Sequence, residues 1–330
     1  MASKIGWGII GCGDIANKRV APAINEQTDS DLVAFFSHAK ARAEDFATRH
    51  RARRAYDDLN ALLADPEVHA IYVASPQGRH CRETIAAAEA GRHVLCEKPM
   101  AMGVDECRRM VDACRANNVH LAVAYYRRYF PKARKMKALL KEGVIGQVVQ
   151  GNISMLGLWN VKRDDPKYWR VTKAASSGGA LADTGSHRLD LLCYFLGEPE
   201  SVAGFADRLA LDVEVPDVET LVVRMKSGAH VVSRNALCTT WQDDFELFGT
   251  RGALLASPWD GDDLTVVVGN QKETLNLPKH ANVHFPLIDD FAGKLSRGER
   301  PEFDGTDGLQ ATRIIDGCYA SARTGQVVAV

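Results

Sequence analysis

Three groups of residues in this chain have the types and spacing that chemistry requires. The first is Gly11-Cys12-Gly13-Asp14-Ile15-Ala16, which follows an apolar run and opens a helical pattern. Gly11 permits a tight turn, Gly13 lets backbone approach a pyrophosphate, and Ala16 lets helix and strand pack closely. The helix N-terminus favours phosphate charge. In that strand–turn–helix setting Gly11, Cys12, Gly13, Asp14 and Ile15 read as a dinucleotide site, with a structural glycine turn as the alternative. A carboxylate at the end of the next strand would bind a ribose 2′-hydroxyl and repel a 2′-phosphate. Ser37-His38, followed by Lys40 and Arg42, stands there instead and favours NADP over NAD. Lys40 and Arg42 would equally suit an ordinary solvated helix start.

The second group is Glu97-Lys98-Pro99, between a strand end and a proline. Strand carboxyl ends face the ligand crevice in a doubly wound sheet. Lys98 is therefore placed to exchange a proton with a hydroxyl whose carbon gives or takes a hydride. For that its pKa must fall from about 10.4 toward about 7–8. Partial burial and a positive nicotinamide ring would both lower it. Taken alone, Lys98 reads as a surface lysine. The third group is Asp183 and His187, four residues apart and hence on one face of a helix. His187 could donate or shuttle a proton near neutral pH, and Asp183 could orient it or bind a substrate hydroxyl. A lone histidine on an apolar helix is usually structural, and the pairing with Asp183 counts on the other side. Asp190 suits either an outer partner of this pair or a solvated carboxylate. No carboxylate or histidine cluster has metal-site spacing, so a metal-independent reaction is expected.

The elements that must position these groups read as two domains. Over 1–125 strand and helix patterns alternate. Strands are expected at Lys4–Ile10, Asp31–Phe36, His69–Ala74, His93–Cys96 and His120–Ala124. Helices are expected at Asp14–Asn25, Ala41–Arg49, Leu59–Ala64, Cys81–Ala90 and Asp105–Asn117. That alternation implies a parallel, doubly wound Rossmann sheet. Over 126–330 a basic amphipathic helix, Pro131–Lys141, precedes longer alternating runs at Val148–Leu156, Glu219–Met225, His230–Leu237, Phe245–Gly249 and Leu264–Val268. Helical patterns interrupt them at Leu181–Leu196, Leu287–Leu295 and Thr306–Ala322. This predicts an α+β domain with a large, mainly antiparallel open sheet. With no flexible linker near residue 125, the domains are expected to share a fixed cleft where Lys98, Asp183 and His187 converge. Lys226-Ser227-Gly228 suits a hairpin turn. Apolar residues lie on both faces of that hairpin, which predicts a homodimer or homotetramer joined through the sheet.

Composition excludes several classes. The formal net charge is −1, which gives no pull toward nucleic acid or anionic lipid. No apolar run approaches the roughly 18 residues of a membrane span, and no leader pattern is evident. The eight cysteines include no Cys-x-x-Cys pair, as expected of reduced thiols in a cytoplasmic protein.

Further segments carry a resemblance. Ser75-Pro76-Gln77 with His80, then Ala90 to Pro99 ending Cys96-Glu97-Lys98-Pro99, then Tyr126-Arg127-Arg128-Tyr129, Trp169-Arg170 and Gly178-Gly179-Ala180-Leu181-Ala182-Asp183-Thr184-Gly185-Ser186-His187-Arg188-Leu189-Asp190 follow the glycine turn in order. With them the chain resembles the glucose–fructose oxidoreductase / inositol dehydrogenase (Gfo/Idh/MocA) family over nearly its whole length. The resemblance implies a Rossmann domain and a C-terminal domain whose sheet often joins subunits. It implies that Ser75, Pro76, Gln77, His80, Glu97 and Lys98 line the nicotinamide half of an NADP or NAD cofactor. Arg127, Trp169 and Arg170 would also reach the cofactor, and Tyr126, Lys98, Asp183 and His187 would meet a sugar-like substrate. His80 is at the same time a residue whose own context suits a backbone partner better than a catalyst. Ala180 stands where the family often has a third glycine, a small change. The overall pattern is similar to 1,5-anhydro-D-fructose reductases. Dihydrodiol and inositol dehydrogenases, and a non-catalytic NAD(P)-sensing regulator of the same fold, remain alternatives. A regulator would be expected to lack Lys98, Asp183 or His187.

Overall fold

A computed structural model of the chain describes residues 4–159 and 161–330. They form two compact units. The first runs through Tyr126 and takes in His280–Leu309; the second comprises Arg127–Lys279 and Gln310–Val330.

The first unit holds a six-stranded parallel sheet: β1 (Ile5–Ile10), β2 (Ser30–Phe36), β3 (Arg54–Tyr56), β4 (Ala70–Val73), β5 (His93–Cys96) and β6 (Leu121–Val123), in the order β3-β2-β1-β4-β5-β6. That is the doubly wound order of a dinucleotide-binding fold, with its switch point between β1 and β4. β1, β4 and most of β2 are buried, as parallel strands covered by helices on both faces must be. The five expected strands are present. The sixth, β3, escapes the sequence pattern because it has three half-buried residues and opens on Arg54. Arg54 pairs with Asp65 and Glu67. The helix after β1 is not uniform: Ala16–Val20 is wound with wider i→i+5 turns before regular helix resumes at Ala21–Glu26.

The second unit does not run unbroken over 126–330. Residues 280–309 belong to the first, because the Phe285–Ser296 helix turns Leu287, Ile288, Phe291 and Ala292 inward. The Phe291 ring lies 5.5 Å from Trp7 on β1, and Gln27 Nε2 donates to Asp289. Helical periodicity revealed the apolar face of this helix, but its place among the later strands assigned it to the 126–330 domain.

The remaining strands build one nine-stranded sheet: β7 (Val148–Leu158), β8 (Pro199–Asp207), β9 (Val218–Met225), β10 (His230–Ala236), β11 (Cys238–Gly249), β12 (Gly252–Ala256), β13 (Asp263–Val268), β14 (Gln271–Asn276) and β15 (Val328–Ala329). Their order is β14-β13-β12-β11-β7-β10-β9-β8-β15. Only the β10–β7 pairing is parallel; the others are antiparallel. The hairpin at 226–228 forms as expected, with Met225 N–H donating to Ala229 O. β8, β12, β14 and β15 were not foreseen. Three of them are edge strands or border one, and their exposed residues blur the alternation. β9 and β10 turn Leu221, Val223, Met225 and Val231 inward. Val222 and Val232, cross-strand partners, point outward with 42% and 38% of their surface exposed. Phe205, beside Thr220, is 75% exposed on the same outer face. Among the described residues no helix is long and apolar enough to cross a membrane.

Candidate active site

In the first unit, the carboxyl ends of β1, β4 and β5 gather the expected residues. Gly11 leaves β1 at φ +104°, and a Cβ there would lie 2.7 Å from the carbonyl carbon and oxygen of Ala74. Backbone conformation and the neighbouring β4 turn therefore both demand glycine. Gly13 differs, for a Cβ there would meet nothing within 4 Å. No contact within the chain calls for glycine at 13, so the open surface suits close approach by a phosphate group. The residues present thus fit a dinucleotide. Ala16 is fully buried. Cys12 is buried, and desolvation pushes its thiol to about 11 despite Arg42, so it is an inert packing group. Asp14 is exposed, near Lys18. Ile15 is half-buried.

At the end of β2, Ser37 Oγ accepts from the Ala39 N–H, and the His38 ring meets Phe36 edge-on. Arg42 Nε donates to Cys12 O at 2.8 Å, which places its guanidinium beside the glycine turn. His38 and Lys40 are exposed.

The loops after β4 and β5 are stitched together. Gln77 Nε2 donates to Ala101 O at 2.6 Å. His80 sets one ring nitrogen 3.0 Å from Pro99 O and the other 2.9 Å from Ser75 O. It is fully buried, and desolvation holds its pKa below the usual value. His80 is therefore a clamp between the Ser75 and Lys98 turns, as its local context suggested. Pro76 precedes the short turn Gln77–Arg79, and Ser75 Oγ donates to buried Glu83.

Glu97 anchors this half. Tyr72 Oη donates to its Oε1 at 2.7 Å, the Lys98 N–H donates to its Oε2 at 3.1 Å, and His284 Nε2 lies 3.5 Å from Oε1. Burial pushes the carboxyl up, but His284, the Tyr72 hydroxyl and the Lys98 charge outweigh it, and Glu97 sits below the usual carboxylate range. The Tyr126 ring packs against His284, tilted by 33°, with ring centroids 4.4 Å apart. Tyr72 and His284 were not among the expected residues. A tyrosine at the end of an otherwise aliphatic strand was a usable signal. Nothing in the sequence linked His284 to residue 97.

In the second unit, Asp183 lies in a wide i→i+5 turn, Leu181–Gly185, that runs directly into the Ser186–Leu196 helix carrying His187. Such insertions often mark functional sites. Arg170 Nη2 lies 3.5 Å from Asp183 Oδ1, and its guanidinium rests over the rings of Trp159 and Trp169. His187 is buried. The next residues lock the helix: Arg188 pairs with Asp243, and Asp190 makes a bidentate pair with Arg128. Asp190 is thus a buried structural carboxylate, not a solvated one. Arg127, expected near the cofactor, grips Asp260 with two bonds of 2.9 and 2.7 Å.

The turn that starts this helix is held by Glu219, another residue that sequence reasoning missed. Its Oε1 accepts from Tyr319 Oη at 3.1 Å, and its Oε2 accepts from the Leu181 N–H at 3.3 Å. A Cβ on Gly179 would overlap Pro216 O, which explains glycine there. Desolvation pushes the Glu219 carboxyl up to about 8.

Residues 5–125 match a family described as an oxidoreductase family with an NAD-binding Rossmann fold. Residues 133–255 match the Gfo/Idh/MocA C-terminal domain. The chain is 34% identical to Oxidoreductase P35 of Formosa agariphila, over 89% of this chain and 91% of that protein. It is 28% identical to the 1,5-anhydro-D-fructose reductase of Ensifer adhaerens over 98% of each. The solved structure of the WlbA dehydrogenase from Bordetella pertussis, in complex with NADH and UDP-GlcNAcA, superposes with a TM-score of 0.90. It covers 99% of this chain and 98% of that one at 25% identity. The chain belongs to the Gfo/Idh/MocA family and is an NAD(P)-dependent oxidoreductase.

Two outcomes follow from this geometry. Gly13→Ala should leave stability within about 0.5 kcal/mol of the parent while weakening NAD(P)H binding at least tenfold. Gly11→Ala should destabilise the fold by about 2 kcal/mol or more, through strain and the Ala74 clash. Urea melts and fluorescence titrations of the two variants separate these effects, and equal stability losses would count against the reading of Gly13. For Glu219, the folded pKa lies above the unfolded one, so the folded state keeps a proton that the unfolded state releases. Its contribution is fully present below about pH 4.5 and is lost as pH rises toward about 8. Stability should fall across that window with a slope of up to about 1.4 kcal/mol per pH unit. Glu219→Gln should flatten the slope in denaturant melts run from pH 4.5 to 9.

Proposed function

We propose that this oxidoreductase transfers a hydride to or from a hydroxyl or keto carbon of a sugar, polyol or related cyclic substrate, with NADP(H) preferred over NAD(H). The observation that carries the reading is the Glu97-Lys98 turn, fixed by Tyr72 and tied through His80 and Gln77 to the loop beside the glycine turn. It presents an amine on the same strand ends that would hold the dinucleotide.

When bound, the nicotinamide supplies the hydride donor or acceptor. Gly11, Cys12, Gly13, Asp14 and Ile15 hold the pyrophosphate on backbone, and Ser37, His38 and Arg42 meet the adenosine ribose. The absence of a carboxylate at that position supports NADP. Ser75, Pro76, Gln77, His80, Glu97 and Lys98 line the nicotinamide side, with Arg127, Trp169 and Arg170 as further cofactor contacts. Lys98 exchanges the proton of the reacting hydroxyl. His187 gives or takes a proton at the substrate, Asp183 binds a hydroxyl or orients His187, and Tyr126 bounds the substrate. The 1,5-anhydro-D-fructose reductase among the relatives supports a cyclic polyhydroxylated substrate. The chain keeps Lys98, Asp183 and His187, which favours an enzyme over a nucleotide-sensing regulator.

The first test is a panel of aldoses, inositols, 1,5-anhydro-D-fructose and levoglucosan, each with NAD(H) and NADP(H), followed by absorbance of the reduced nicotinamide. Turnover of at least one sugar with lower KM for the phosphorylated cofactor is expected. Tighter binding of NAD(H) would overturn the cofactor preference, and silence across the panel would overturn the substrate class. With an active sugar in hand, Lys98→Met should cut kcat by about 10²–10⁴ and leave cofactor affinity within twofold. His187→Ala should cost less if Lys98 is the main proton partner, and a comparable amount if the two act as a unit. Turnover near the parent's in the Lys98 variant would remove it from the mechanism.

The outward apolar row of Phe205, Val222 and Val232 supports a homodimer or homotetramer formed through the nine-stranded sheet. Light scattering at micromolar concentration should give a multiple of the 36.1 kDa chain. Val222→Lys with Val232→Lys should return it to the monomer mass.

A further inference from the structure

Three histidines of the first unit, His69, His80 and His93, have a ring nitrogen engaged with backbone. His80 faces two carbonyl oxygens. His69 Nδ1 accepts from the Gly6 N–H, and His93 Nδ1 from the His120 N–H. His284 does not follow this pattern. It is 1% exposed, yet neither ring nitrogen makes a hydrogen bond of ordinary geometry among the described residues. The carboxylate it approaches is Glu97, with Nε2 3.5 Å from Oε1. That is a close polar contact rather than a made hydrogen bond. Its backbone N–H donates to the Asn282 side-chain oxygen, and Asn282 Nδ2 in turn donates to Arg19 O. The backbone that carries the ring is therefore anchored, and the ring packs against Tyr126 with Nε2 toward a buried acid. Burying an imidazole without using its nitrogens is costly, and packing alone would be served better by phenylalanine.

We propose that His284 is a positioning residue of the hydride-transfer site. It holds the Glu97 carboxylate ionised and in place behind Lys98, and so sets the field in which the Lys98 amine works. The inference rests on the proton-exchange reading of Lys98. Tyr72 and His284 share Oε1, which leaves Oε2 for the Lys98 N–H. Without the imidazole, desolvation acts on Glu97 with less opposition and favours its neutral form. Lys98 then loses an adjacent negative charge, its ammonium form becomes less favourable, and its pKa falls. The other ionisable neighbours that face Glu97 are Tyr72, Lys98, His80 and Cys96.

The test is a cycle of His284→Phe, Glu97→Gln and the double variant. Phenylalanine keeps the ring contact with Tyr126 and removes the nitrogens. With the best sugar from the panel, His284→Phe should lower kcat about tenfold or more. It should shift the limb of the kcat–pH profile that belongs to Lys98 toward lower pH, with cofactor Kd unchanged. His284→Gln, which retains an N–H donor, should recover part of the loss. In the Glu97→Gln background His284→Phe should have little further effect. The same four proteins unfolded in urea give the coupling without any turnover, and non-additive stabilities are expected. Additive effects in both cycles, or a pH profile identical to the parent's, would overturn the inference. A Lys98→Met enzyme with parental kcat would instead overturn the proton-exchange reading, while the Glu97–His284 coupling would still be read from the stability cycle.

Discussion

A carboxylate removed from water must be met by donors and positive charge, and the first unit is arranged around that requirement at Glu97. An unpaired buried carboxylate costs several kcal/mol, so each group that meets it restrains the element it comes from. Tyr72 brings β4, the Lys98 N–H closes the turn after β5, and His284 fixes the segment that returns from near residue 280. The turn bearing Lys98 is thus held from three sides. His80 and Gln77 extend the restraint to the loop after β4, and Gly11 presses the β1 turn against that loop. A functional group on a rigid turn loses little entropy when it meets substrate, which is what hydride and proton transfer demand.

The second unit solves a related problem with buried ion pairs. The helix that carries His187 has charged residues on its hidden side, and each has a counterpart: Arg188 with Asp243, Asp190 with Arg128. Such pairs add little net stability compared with apolar packing, but breaking one leaves an uncompensated buried charge. They therefore fix the rotation of the helix about its axis. Glu219 and Tyr319 fix its start, in the turn where Gly178-Gly179 allows close approach. The wide turn at Leu181–Gly185 sets Asp183 against Arg170.

What the sequence by itself determined was local. The Rossmann alternation, the Gly11-x-Gly13 turn, the glutamate–lysine–proline turn and the Asp183–His187 spacing all depend on residues within a few positions of one another. Apolar period and turn chemistry revealed the first two, while the weight of Lys98 and of the Asp183–His187 pair came from the family resemblance as well. The motif at Gly178-Gly179 was legible too, although its reason, the overlap with Pro216, was not. What only the tertiary structure decided involved contacts across long separations. Burial preference cannot say which core the Phe285–Ser296 helix covers, since either would shield Leu287 and Phe291. The pairing of Phe291 with Trp7 settled it and delivered His284 to Glu97. Asp190 likewise suited either an outer partner of the Asp183–His187 pair or a solvated carboxylate, and Arg128, 62 positions away, gave it a different role. Short edge strands such as β3 and β15 form because a neighbour offers hydrogen bonds, and that information lies in the partner strand rather than in their own residues.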